Sequence, residues 1–133
     1  MSKPLPDIDD LTRPFWDAAR DGRLIMQRCA DCGAYVWHPQ PWCRACYGQN
    51  LAWQEMSGQA ELFTFSVVHY APLPGYADQV PYVLATVRLA EGPQMMTNII
   101  GCDWRDVRIG QRLAVCWEER AGGIRVPQFA PAA

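Results

Sequence analysis

Apolar and polar residues alternate along the second half of the chain, and that alternation is its clearest structural signal. Residues 60–70 place Phe63, Phe65 and Val67 in phase, and residues 82–90 place Val83, Ala85, Val87 and Leu89 in phase. A period of two describes strands with one buried face. Glu91-Gly92-Pro93 punctuates the run as a hairpin turn, and residues 94–100 supply its returning strand. Residues 112–119 carry Leu113, Val115 and Trp117 on one side, and Ala121-Gly122-Gly123 turns the chain into Ile124–Val126. About five strands with turn punctuation and no long helix suit a small closed or nearly closed barrel of the OB type. A two-sheet sandwich would want more strands.

Before Gly58 the pattern differs. Residues 11–22 read as a short helix: Thr12 suits the N-cap, Pro14 the first turn and Gly22 the C-cap. Phe15, Trp16 and Ala19 share one face of it. Residues 1–10, rich in Pro and Asp, read as a tail that a partner could order. Residues 23–28 read as a strand, 35–42 as a hairpin and 51–56 as a further strand. The expected organisation is a tail and short helix over 1–22, a small ribbon over 23–57 and the barrel with a C-terminal tail over 58–133.

The ribbon carries the strongest chemical signal. Cys29-x-x-Cys32 and Cys43-x-x-Cys46 are two turns that can aim four sulfurs at one point. Four thiolates favour Zn2+ in a closed tetrahedral site, with iron as the rival that S4 sites also suit. All four positions are filled by protein, so the ion's expected role is structural. Paired disulfides would need an oxidising compartment, and the first residues, Met1-Ser-Lys-Pro-Leu-Pro, contain no apolar signal core. A cytoplasmic chain is expected.

Charge narrows the partners. The chain has 133 residues, 12 Lys and Arg against 14 Asp and Glu, and a formal net charge of -2. Neither half is basic, which argues against nucleic acid as the main ligand. No apolar run approaches a membrane span.

Catalytic chemistry is nearly absent. His38 and His69 have no nucleophile beside them in sequence, and no phosphate-cradling glycine loop or dinucleotide fingerprint occurs. Cys102 and Cys116 read as small apolar filler. Aromatic residues are more telling. Trp37, Trp42, Tyr47 and Trp53 belong to a ribbon too small to enclose them, so they either cover the barrel or face another protein. Candidate ligand or partner contacts are therefore Phe15, Trp16, Trp37, His38 and Trp42, with Tyr76 from the apolar, proline-stiffened loop over residues 71–81. Arg88, Arg105 and Arg108, with Arg112, are further candidate ligand contacts, of a type able to anchor phosphates.

The order of these parts resembles the DUF35 family. The resemblance runs through Pro14-Phe15-Trp16, Cys29-x-x-Cys32-Gly33, Pro39-x-x-x-Cys43-x-x-Cys46, Gly58, Pro81-Tyr82-Val83, Glu91-Gly92, Val107-x-Ile109-Gly110 and Pro127-x-Phe129. It covers roughly residues 12 to 130. It implies a mainly β chain: a short N-terminal helix, a rubredoxin-like zinc ribbon and a C-terminal OB-fold barrel. It further implies a noncatalytic accessory subunit of an acyl-CoA-processing complex, whose partner is a thiolase-fold chain or a hotdog-fold, MaoC-like hydratase. Lipid or steroid side-chain degradation is one such setting. The subunit would dock to that enzyme and help an acyl-CoA thioester bind or pass. Two other readings stay open: a free-standing acyl-CoA or lipid-binding module, and a binder of single-stranded nucleic acid, for which OB barrels also serve.

Overall fold

A computed structural model describes residues 3–132 as a short helix, a three-stranded ribbon and a five-stranded barrel. Helix α1 spans Arg13–Arg20. Thr12 stands at the N-cap position as expected, but its side chain caps no N–H of the helix. The Thr12 hydroxyl accepts from the Asp9 N–H at 3.2 Å, while the Thr12 N–H donates to Asp9 Oδ1 at 2.8 Å. This reciprocal pair moves the capping one turn earlier, because Thr12 already has helical backbone angles. The far end matches expectation. Gly22 N–H bonds Ala19 O and Arg23 N–H bonds Ala18 O, a Schellman closure with Gly22 at φ 74°. Phe15, Ala18 and Ala19 are the buried residues of α1, whereas Trp16 is half-buried.

The ribbon is β2-β1-β3, with β1 at Ile25–Cys29, β2 at Tyr35–Val36 and β3 at Leu51–Glu55. The hairpin expected over residues 35–42 shrinks to the two residues of β2. Beyond Val36 the chain is pinned by side chains instead. Gln27 reaches Gln40 through both amide atoms, at 3.0 Å and 2.8 Å, and the Arg44 guanidinium donates to Trp37 O.

The barrel strands are β4 (Gln59–Val68), β5 (Tyr82–Leu89), β6 (Gln94–Ile99), β7 (Arg112–Glu119) and β8 (Arg125–Pro131). Their cyclic order is β4-β5-β6-β8-β7, closed by β7 on β4. The β6–β8 seam is parallel and holds one paired position, Ile99 with Phe129. Val83, Ala85, Val87 and Leu89 are all buried, as their alternation requires. β4 departs from its expected phase. Its register slips between Leu62 and Thr64, so Ala60 and Leu62 face the core before the slip and Phe65 lies opposite buried Ala85 after it. Phe63 is the extra residue of that bulge and is turned out to 43% exposure, under the Arg88 guanidinium at 4.6 Å.

The core runs through the molecule: Phe15 of α1, Leu24 and Met26 of the ribbon and Phe129 of the barrel belong to one buried cluster. Gly58, at φ 81°, joins ribbon to barrel where a Cβ would stand 2.5 Å from Val115 Cγ1. Glu91, in the β5–β6 turn, accepts from the Ser57 N–H at 2.7 Å and fastens the same joint. No helix among the described residues is long and apolar enough to cross a membrane.

Candidate functional site

The four cysteines converge. Their Sγ atoms all lie within 4.8 Å of one another, with Cys29 to Cys46 and Cys32 to Cys43 each 3.6 Å apart. A Zn–S bond of about 2.3 Å places tetrahedral sulfurs roughly 3.8 Å apart, whereas a disulfide requires about 2.05 Å. The sulfurs therefore have the spacing of ligands to one structural metal ion. Cys29 and Cys43 are buried and Cys32 and Cys46 are exposed, so the ion would sit at the ribbon's tip.

Two matching knuckles set that spacing. Cys29 O accepts from Gly33 N–H and Cys43 O from Tyr47 N–H; Cys29 N–H bonds Ala34 O and Cys43 N–H bonds Gly48 O. The residue four beyond each leading cysteine has a left-handed backbone: Gly33 at φ 78° and Tyr47 at φ 63°. A Cβ at Gly48 would press on Asp31 Oδ2 at 3.0 Å and Cys46 Sγ at 3.3 Å, so the second knuckle closes on a glycine.

Electrostatics also call for a cation. The Cys46 backbone N–H, opposed by burial and aided by the Ala45 N–H, holds Cys43 down at about 7. The Gly48 N–H lowers Cys46, but the Cys29 and Cys32 thiols, burial and Cys43 outweigh it and push Cys46 up to about 12. One thiolate forms readily and the next is opposed, so four together need positive charge among them.

A second feature adjoins the ribbon. α1, the segment after β2 and the outer wall of the barrel enclose a groove of about 420 Å3. It brings together Phe15, Trp16, Trp37 and His38, four of the expected contact residues. Phe15 sits 4.9 Å from Trp16 and 5.1 Å from Trp37, and His38 stacks on Trp37 at 4.9 Å. The other candidates lie elsewhere. Trp42 is exposed on the metal-bearing end of the ribbon. Tyr76 is tied into the chain itself, its hydroxyl accepting from Arg120 at 3.0 Å and its ring lying beside Tyr82.

The arginines form no joint anchor. Arg88 pairs with Glu61 at 3.6 Å, Arg105 pairs with Asp103 at 3.2 Å and lies over Trp104, and Arg108 is held through its backbone N–H by Gln111. Arg88 and Arg112 line a common hollow that neither Arg105 nor Arg108 reaches. The ribbon's aromatics divide: Trp37 and Trp53 pack on the core, and Tyr47, like Trp42, stays exposed. Cys116 is half-buried, with burial raising its thiol. Cys102 is exposed just past the Gly101 bend and so fills nothing; partial desolvation, then Asp106 and Asp103, raise it. Neither is an activated thiol. His69 meets the Trp104 ring edge at 5.3 Å.

With this geometry in hand, comparison with known proteins is decisive. Residues 16–52 match the family model described as "ChsH2, rubredoxin-like zinc ribbon domain", and residues 53–118 match "ChsH2, C-terminal OB-fold domain". The solved structure "Ltp2-ChsH2(DUF35) aldolase" superposes with a TM-score of 0.86 at 31% identity, over 97% of this chain and 100% of that one. The chain belongs to the DUF35 family. Among curated relatives, a "Probable enoyl-CoA hydratase alpha subunit" from Thermomonospora curvata is 32% identical over 98% of this chain and 40% of that protein. A "DUF35 domain-containing scaffold protein" from Methanocaldococcus jannaschii is 35% identical over 68% of this chain and 64% of that protein. The chain thus spans about two fifths of the first curated relative and under two thirds of the second.

The four cysteines expected as ligands converge, and four of the expected contact residues, a minority of the lining, fall in the groove. Sequence reasoning missed Gln128, a buried glutamine of β8 that lines the groove, and Gln27, which holds the groove's ribbon wall through Gln40. A glutamine in a strand carries no signal of burial unless the element covering it is known.

Proposed function

We propose that this chain is a noncatalytic accessory subunit of an enzyme that processes CoA thioesters, with a thiolase-fold or hotdog-fold chain as its partner. The observation that carries the reading is the end-to-end match with the DUF35 chain of a structure named for an aldolase. Hydratase and scaffold names among the relatives support the same class. The chain's own residues fit a helper. The four thiols suit a closed structural zinc site with no ligand position left for water or substrate. Neither His38 nor His69 is hydrogen-bonded to a nucleophile among the described residues; His38 stacks on Trp37 and His69 meets Trp104 edge-on. The free thiols suit a reducing cytoplasm. Arg88 and Arg105 are each ion-paired and share no hollow, which weighs against a free-standing module that grips CoA phosphates with all four arginines.

The test is co-expression of the tagged chain with any thiolase-like or hydratase-like chain encoded beside it. We expect one of them to be retained in stoichiometric amount and to gain activity. A chain that stays alone, or that turns over a CoA thioester unaided, overturns the reading.

A further inference from the structure

β3 is an edge strand of the ribbon, and the phase of its ladder shows which main-chain groups it leaves unused. Met56 N–H bonds Leu24 O and Ala30 N–H bonds Asn50 O, just beyond the two ends of the unbroken β1–β3 register. In an antiparallel ladder the hydrogen-bonded pairs recur at every second residue. Met26 with Gln54 and Arg28 with Ala52 are therefore the bonded pairs between those ends. Leu51, Trp53 and Glu55 turn their N–H and C=O groups away from β1. The other side of β1 keeps the same phase, since Cys29 N–H bonds Ala34 O and Gln27 is paired with Val36. Gln49 O takes the Leu51 N–H at 3.0 Å. Among the described residues no strand lies outside β3, and the outward groups of Trp53 and Glu55 meet no backbone partner.

Soluble proteins blunt such edges with proline, lysine, a bulge or a very short strand. The ribbon's opposite edge is blunted, because β2 has two residues and Pro39 and Pro41 follow it. β3 carries none of these devices. It runs for five residues, Leu51-Ala-Trp-Gln-Glu55, in even register and without proline, glycine or lysine. Its one charge, Glu55, is already paired with Arg23 of the same chain at 3.2 Å.

The strand also complements itself. Laid antiparallel on a copy about Trp53, it sets Trp53 opposite Trp53, Leu51 opposite Glu55 and Ala52 opposite Gln54. No like charges face each other, and an aromatic pair stands at the centre. The outward phases coincide, so each copy's Trp53 N–H meets the other's Trp53 O and each Glu55 N–H meets the other's Leu51 O.

We propose that a second copy of this chain occupies the edge, β3 pairing antiparallel with β3 across a two-fold axis at Trp53 and joining two three-stranded ribbons into one sheet. The proposal is independent of the accessory reading above. A contact confined to one five-residue edge falls short of the roughly 1,000 Å2 of a standing interface, so the dimer is weak, with Kd about 10–100 µM.

The experiment combines sedimentation equilibrium of the zinc-loaded chain with residue-resolved amide exchange at about 5 µM and about 1 mM, on either side of that Kd. We expect a monomer–dimer equilibrium. On concentration the Trp53 and Glu55 amides should slow about five- to tenfold, while those of Ala52 and Gln54, already bonded to β1, stay unchanged. Glu55→Pro removes an outward N–H without touching the β1 ladder and should weaken the dimer about tenfold at unaltered zinc content. Glu55→Ala keeps that N–H and should dimerise like the wild type. A wild-type chain that is monomeric at the higher concentration overturns the proposal, as does a Glu55→Pro chain that dimerises undiminished. So does a dimer whose Trp53 and Glu55 amides exchange as they do when dilute, because another surface then joins the copies. The wild-type exchange pattern decides the matter if Glu55→Pro does not fold. If the chain stays monomeric and those two amides are protected only in complex with an enzyme, the edge takes the enzyme's strand; this proposal then fails while the accessory reading stands.

Discussion

Tyr47 and Gly33 occupy the same place in two matching turns, and only one is suited to it. At φ 63° an L-residue other than glycine is strained by about 1–2 kcal/mol. Tyr47 is also 77% exposed, so packing returns little of that cost. Tyr47→Gly should therefore stabilise the ribbon by about 1 kcal/mol after the added unfolded-state entropy of glycine is counted. Slower zinc loss to a chelator and a higher denaturation midpoint would register the gain; lower stability would show that the ring contributes more than its exposure indicates. The residue scale is also where sequence reading was most uneven. Cys-x-x-Cys spacing is explicit because the chemistry demands thiols and the turns demand a fixed interval. Tyr47's left-handed backbone is set locally by the closure of the second knuckle, but a tyrosine does not signal it as Gly33 does; Gln128's burial is not explicit because it depends on α1, distant in the chain, lying over β8.

At the level of elements, the barrel was legible where one face is buried without interruption. β5 fulfils this, and its four inward residues follow from alternation alone. β4 does not, since a bulge between Leu62 and Thr64 shifts its phase and expels Phe63. Nothing in an alternating run marks such a slip, because what fixes it is the cross-strand register with β5. β8 was cut short at Val126 for a different reason. Pro127 and Pro131 argue against a central strand, yet β8 continues to Pro131. On its β6 side it makes a single paired position, so it behaves there as an edge, where proline is tolerated. The ribbon is the reverse case. Its three strands include one of only two residues, and its own buried cluster beyond the shared core is Cys29, Val36 and Cys43. Such an element depends on its metal. Cys43→Ser should lose stoichiometric zinc and hydrogen-exchange protection over residues 24–56, while β4 to β8 stay protected. A variant retaining one zinc per chain with unchanged melting would contradict the metal's structural role.

Across the whole molecule, the N-terminal residues do more than trail. The sequence suggested a tail awaiting a partner, but from Lys3 it is held by the barrel's own far end. Lys3 Nζ lies 2.7 Å from Glu118 and over the Tyr76 ring at 5.1 Å, and Arg120 bonds both Glu118 and Pro4 O. Glu118 is the hub of this clasp. Partial burial raises its carboxyl, but hydrogen bonds and charge from Lys3 and Arg120 outweigh that and hold it below the ordinary glutamate value. The sign of the pH effect follows. A carboxylate with a depressed folded-state value contributes its stabilisation above the unfolded value of about 4.3 and loses it as pH falls through the lower folded value. The clasp should hold at neutral pH and open below about pH 4, with the tail released before the barrel melts. Hydrogen exchange or cleavage by an acid-active protease, followed from pH 7 down to 3, would locate the opening. Glu118→Gln should loosen the tail already at neutral pH and abolish the acid step. A wild-type tail equally protected at both ends of that range would mean that the clasp is held by Arg120 on Pro4 and by apolar packing, with the ion pair contributing nothing.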